Sequence, residues 1–140
     1  ILHEVLVTRH NTVPVHSYEE IMKLREKFPQ EIRLFTVKDN YSHVIGGCVV
    51  FETETTAHVQ YIAANELGRN GGALDLLFSK LIAYYCKRGK TYFDFGISTE
   101  QGGRFLNEGL IFQKEGFGGR AVCYDIYEVD LKKLQAIGEQ

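Results

Sequence analysis

The apolar positions of the chain fall into segments of period two and segments of period near 3.6. Ile32 to Lys38 sets Ile32, Leu34 and Thr36 against Arg33, Phe35 and Val37, and His43 to Thr53 resumes a strand pattern after the turn residues Asp39 and Asn40. Thr56 to Ala64 places His58, Gln60 and Ile62 on one face and Val59, Tyr61 and Ala63 on the other. Connections this short predict an antiparallel meander. Gly46-Gly47 inside the second strand predicts a bulge or the close approach of another backbone. The helical period is clearest where Leu74, Leu77, Phe78, Leu81, Ile82 and Tyr85 form one broad stripe, with Gly89 placed to end the helix.

Weaker patterns flank this centre. Residues 1–10 are assigned to a helix, although the Val5/Val7 alternation also fits a strand, and residues 11–16, with Pro14, form a loop. Ser17-Tyr18-Glu19-Glu20 has the form of a capping box ahead of Ile21, Leu24 and Phe28, and Pro29 ends that helix. Thr91 to Phe95 is a short strand with Tyr92 and Asp94 on one face and Phe93 and Phe95 on the other. From Thr99 to Gly119 a short helix carrying Phe105, Leu106 and Leu110 is expected among glycines. Arg120 to Val129 alternates as a last long strand, and Asp130 caps a terminal helix with Leu131, Leu134 and Ile137 inward. The pattern is that of one α+β domain.

The 140 residues suffice for a single domain with its own core, and a net charge of −2 excludes the basic surplus of a duplex-binding domain. No apolar run is long enough to cross a bilayer. Cys48, Cys86 and Cys123 are scattered without metal-type spacing, which reads as reduced core thiols, a cytoplasmic location and no structural zinc. Tyr84, Tyr85, Tyr124 and Tyr127 are spaced for core and sheet packing rather than base stacking. A start at Ile1 suggests an excised or C-terminal piece of a longer protein. The run Gly68-Arg69-Asn70-Gly71-Gly72-Ala73 stands directly before the long helix, where backbone N–H groups and the helix dipole can converge on an anion.

The order of helix, three-strand meander, glycine turn with helix, strand, short helix and strand resembles the GNAT acyltransferase fold over about Ile32 to Val129. It implies a GNAT-like, mixed, mostly antiparallel twisted sheet with a central helix after a glycine-rich turn and flanking helices. Family members carry Q/R-x-x-G-x-G/A at this turn; here Gly68 occupies the Gln/Arg position, and Arg69 is one residue on. FDFG at Phe93 to Gly96, then Gly109-Leu110, Gln113-Lys114 and Phe117-Gly118, resemble the Fem-type and envelope-polysaccharide subgroup. That subgroup duplicates the fold, and the chain is similar to the C-terminal copy.

The resemblance implies N-acyl transfer from acetyl-CoA or another acyl-CoA to a small-molecule amine of a sugar, amino acid or envelope precursor. Ile62, Arg69, Asn70, Gly71, Gly72 and Ala73 would hold the donor, and amides of residues 60–63 would face the developing oxyanion. His58, Gln60 and Asp94 are the polar side chains on the two strands that flank the implied cleft; imidazole titrates near neutrality and suits a base. Asp94 orients an amine or relays its proton, or else simply caps the turn after it. Asn107, Glu108 and Lys114 follow in a connection suited to acceptor recognition, with a solvated surface lysine as the plain alternative for Lys114. Two other readings stay open: aminoacyl transfer from tRNA, and a non-catalytic domain that binds a ligand or forms a homodimer.

Overall fold

The computed structural model describes residues 16–129. The expected helix over 1–10, most of the loop before His16 and the terminal helix capped by Asp130 lie outside them. Helix α1 (Tyr18–Lys27) opens on a full capping box: Ser17 Oγ accepts from the Glu20 amide at 3.2 Å, and the Ser17 amide donates to Glu20 Oε2 at 2.7 Å.

Strands β1 (Ile32–Lys38), β2 (Val44–Glu52) and β3 (Thr56–Ala64) form the antiparallel meander. Strand β4 (Tyr92–Asp94) then joins β3 in parallel, giving a mixed sheet in the order β1-β2-β3-β4. The crossover from β3 to β4 contains the short helix α2 (Glu66–Asn70) and the long helix α3 (Ala73–Lys87). Leu77, Phe78, Leu81 and Tyr85 of α3 pack on Cys48, Val50, Ala57 and Val59, and this is the core. Each large apolar side chain buried there contributes about 1.5–3 kcal/mol before its ordering entropy is subtracted.

At one end of the sheet, buried Glu52 accepts from the Tyr85 hydroxyl at 2.9 Å. Arg33 Nε lies 2.6 Å from Glu52 Oε1 as an ion pair without the alignment of a hydrogen bond. Lys90 and Arg88 approach the other oxygen at 3.8 and 3.9 Å. Helix α3 ends as expected: Gly89 has φ +74°, and the Gly89 and Lys90 amides return to Cys86 and Tyr85 carbonyls in a Schellman turn.

The expectation for Gly46-Gly47 holds, since a Cβ on Gly47 would stand 2.5 Å from the Phe35 carbonyl oxygen and the β1–β2 register shifts beside Gly46, between Val37 and Lys38. Several others are corrected. A further bulge, between β2 and β3, was not expected. Val49 pairs with Tyr61 and Val50 with Val59, so Gln60 is the extra residue of β3. That residue resets the side-chain phase: Ala57 and Val59 face the core before it, and Ile62 and Ala64 after it. Ile62 therefore does not share a face with His58. Phe105–Leu106 is not helical but is strand β6, paired with β5 (Thr99–Glu100); the following helix α4 (Glu108–Gly116) carries Leu110.

Residues 120–129 form no strand, because their alternation finds no partner edge, and Tyr124 and Tyr127 are exposed rather than packed. Of the three cysteines only Cys48 is in the core; Cys86 and Cys123 are exposed.

Candidate active site

The parallel ladder between β3 and β4 is three pairs long and ends where His58 stands opposite Asp94. Beyond it Gly96, at φ +73°, turns the chain, so the β4 side of β3 has no strand partner past His58. A gap opens between two neighbouring strands. Because Ala57, Val59 and Phe93 face α3, strand alternation sends His58 and Asp94 to the opposite face.

At the mouth of the gap, His58 Nδ1 lies 2.7 Å from Asp94 Oδ2. A carboxylate only accepts, so Nδ1 carries the proton and Nε2 is left as the basic nitrogen. Gln60, lifted by the bulge, brings its Oε1 to 3.2 Å from Nε2. An amide oxygen only accepts, so this contact is a hydrogen bond either when the imidazole is doubly protonated or when the amide is flipped so that its NH2 donates to Nε2. The second oxygen of Asp94 accepts the Gly96 amide at 2.8 Å. The catalytic and the turn-capping readings of Asp94 are thus one arrangement. Burial pushes the Asp94 carboxyl up, but the His58 hydrogen bond, the Gly96 amide and the charges of His58 and Lys114 outweigh it and hold the group below the usual aspartate range.

The glycine run is folded differently from a simple turn. Asn65 Oδ1 caps α2 through the Gly68 amide at 2.9 Å, and Gly68 is buried because a Cβ there would stand 2.1 Å from the Ile45 carbonyl oxygen. Helix α3 starts after Gly72, at φ +67°, so the amides of Ala73, Leu74 and Asp75 have no carbonyl within the helix to reach. They fit an anion such as a pyrophosphate, with Gly71 and Gly72 leaving the approach open. Arg69 stands close by, with Nη1 donating to the Ala64 carbonyl at 2.7 Å. Against the fit, Asp75 puts a carboxylate in the first turn of α3. Asn70 ends α2, and Ile62 packs on the core, so Ile62 can meet a ligand only through its backbone.

Asn107 caps α4 through the Leu110 amide at 2.9 Å and donates to Glu100 Oε1 at 2.7 Å. With Glu100, Phe105, Leu106 and Glu108 it lines an open cavity of about 430 Å³. Lys114, the third expected acceptor contact, instead directs its ammonium to the carbonyls of Gly96 at 3.0 Å and Ile97 at 2.6 Å. Two contributors were not anticipated: Glu100, which the short β5–β6 hairpin brings to Asn107, and Phe117, which stacks on Phe95. The FDFG and FGG glycine clusters were the available signal for Phe117, since aromatics beside them need a common core.

Among the described residues, no group of His, Cys, Asp and Glu side chains is gathered to hold a metal, and no helix is long and apolar enough to cross a membrane.

None of the curated proteins compared matches the sequence. Two variants of the BH1408 protein from Bacillus halodurans, a point mutant and a tetramutant, superpose with TM-scores of 0.60 at 15% identity, over 91% of this chain and 85% and 86% of theirs. A candidate acetyl transferase from Pyrococcus furiosus is similar at TM-score 0.59 and 15% identity, over 92% of this chain and 91% of its own. These likenesses show a shared fold, that of an α+β domain with a mixed, mostly antiparallel sheet and flanking helices. The family model described as "Acetyltransferase (GNAT) domain" matches residues 7–103, more than half of the sequence, and the chain belongs to that family.

Proposed function

We propose that the chain is an N-acyltransferase domain that moves an acyl group from acyl-CoA to the amine of a sugar, amino acid or envelope precursor, with His58 as base. The observation that carries this reading is the oriented His58–Asp94 pair at the point where β3 and β4 part. A bound acyl-CoA would supply the activated thioester. The chain supplies the rest: amides of Ala73 to Asp75 bind phosphate, strand amides of residues 60–63 that face the gap polarise a carbonyl, and Nε2 accepts the proton an attacking amine must lose. Asp94 fixes the tautomer and steadies the imidazolium that results. Asn107 and Glu108, with Glu100, form the acceptor side, where carboxylates suit a cationic amine before it is deprotonated. The donor is cytoplasmic, and the domain would work there.

Isothermal calorimetry with acetyl-CoA tests the donor half. Binding by the parent chain that is weakened at least about tenfold by Gly71→Asp, which adds a carboxylate to the cradle, supports it. No binding by the parent overturns it.

A second reading is favoured by one feature: Gly68 and Asp75 together leave the cradle poorer in positive charge than a pyrophosphate site calls for. A Fem-like transfer from aminoacyl-tRNA would not need that cradle. It predicts turnover with aminoacyl-tRNA and none with acetyl-CoA.

A further inference from the structure

We infer that Lys114 is the positioning residue of the His58–Asp94 pair, holding the Gly96 and Ile97 carbonyls and so fixing the turn from which Asp94 reaches His58. The inference rests on the acyltransfer reading of the site.

The sheet cannot hold that turn by itself. The ladder stops at Asp94, and Gly96 adopts a left-handed conformation in which a Cβ would stand 3.4 Å from the Val59 carbonyl oxygen. Its fixed points form one relay: Lys114 Nζ to Gly96 O at 3.0 Å and to Ile97 O at 2.6 Å, Gly96 N to Asp94 Oδ1 at 2.8 Å, and Asp94 Oδ2 to His58 Nδ1 at 2.7 Å. Each link constrains the next.

Lys114 is itself held from behind. The Asn107 amide ties the start of α4 to the Ser98 carbonyl at 2.9 Å. At its other end α4 closes in a Schellman turn, with Gly118 and Gly119 amides on the Glu115 and Lys114 carbonyls. Phe117 there stacks on Phe95 at 6.0 Å and 24° and meets Phe78 edge-on at 5.5 Å. The half-buried ammonium has the Asp94 charge facing it, which partly opposes the lowering of its pKa by burial. A lysine kept for an acceptor would leave its donors toward solvent; this one aims two of them at the backbone beside the base.

Two-bond 1H–15N spectra of the His58 ring read its tautomer directly, in full-length variants whose folding is checked by circular dichroism. The parent should show the Nδ1–H form. Lys114→Met should lose that preference, and Lys114→Gln, shorter and uncharged, serves the same purpose where the Met variant does not fold. Lys114→Arg, which keeps a cation able to donate to the same two carbonyls, should keep it. With acetyl-CoA and glucosamine as probes, kcat should fall about tenfold or more while KM for glucosamine stays unchanged. Retention of the Nδ1–H form in the folded Lys114→Met or Lys114→Gln protein overturns the inference, as does a raised KM at unchanged kcat. Absence of turnover in the parent would count against the acyltransfer reading only, because the tautomer is measured without substrate.

Discussion

Gly68→Ala sets two effects of opposite sign against each other. Gly68 lies inside helix α2, where alanine is intrinsically better by about 1 kcal/mol. Propensity alone therefore predicts a more stable protein. The new Cβ, however, would stand 2.1 Å from the carbonyl oxygen and 2.9 Å from the carbonyl carbon of Ile45, over 1 Å short of van der Waals contact at the oxygen. The obstacle is backbone, and the same oxygen accepts the Asn65 amide at 3.0 Å, which fixes where α2 leaves the sheet. Relief requires moving α2 or breaking that bond. Overpacking of this kind costs up to about 3 kcal/mol, and the strained hydrogen bond about 1 more. After the propensity gain the net is about 3 kcal/mol of destabilisation, or a fall in Tm of about 10 °C for a chain of this size. Thermal unfolding followed by circular dichroism measures it, with Gly71→Ala as control, because that Cβ would meet only the Leu67 carbonyl at 3.2 Å. The control should shift Tm by no more than about 3 °C. An unchanged or raised Tm for Gly68→Ala would refute the steric account of why glycine stands at position 68.

Asp94→Asn removes the charge that selects the Nδ1–H tautomer; a hydrogen bond to a charged group is worth about 1.5–3 kcal/mol, so kcat should fall about 100-fold in the acetyl-CoA and glucosamine assay. The carboxyl is held low in the folded chain, so its stabilising contribution is complete above the ordinary aspartate pKa and is lost as pH falls through the lower folded value. Acid titration of stability should accordingly be shallower in Asp94→Asn than in the parent. Tyr85→Phe leaves one buried Glu52 oxygen without its hydroxyl donor and should cost about 1–3 kcal/mol in urea unfolding. Burial pushes the Cys48 thiol up to about 12, so iodoacetamide at pH 8 should modify exposed Cys86 and Cys123 in the native protein and Cys48 only after denaturation, as read by mass spectrometry.

What was legible in the sequence is what local chemistry decides. The Ser17/Glu20 box, the three alternating strands and the α3 stripe each carry their cause within a few residues. His58 and Asp94 could be named because both are polar residues on predicted strands, but their pairing depends on a register that only the parallel ladder sets. Helix α2 was hidden because its glycine answers to a carbonyl 23 residues earlier rather than to a turn. The bulge at Gln60 was invisible since one extra residue leaves a plausible alternation on both sides. Residues 120–129 show the reverse failure: alternation gives a segment two faces, but without an edge to receive its amides it forms no strand.

The extra residue in β3 also bears on where the chain tolerates a change in length. The Thr53–Thr56 hairpin lies before the phase reset and can absorb an insertion with little effect on the register of either strand. Deleting Gln60 would close the bulge: Val59 and Tyr61 would become neighbours opposite Val50 and Val49, every other pairing would stand, Ile62 would stay on the core face, and only the side chain beside His58 Nε2 would be lost. One strand thus serves two clients, an open gap and a packed helix, and the bulge is what lets it give a side chain to the first without moving the residues that serve the second.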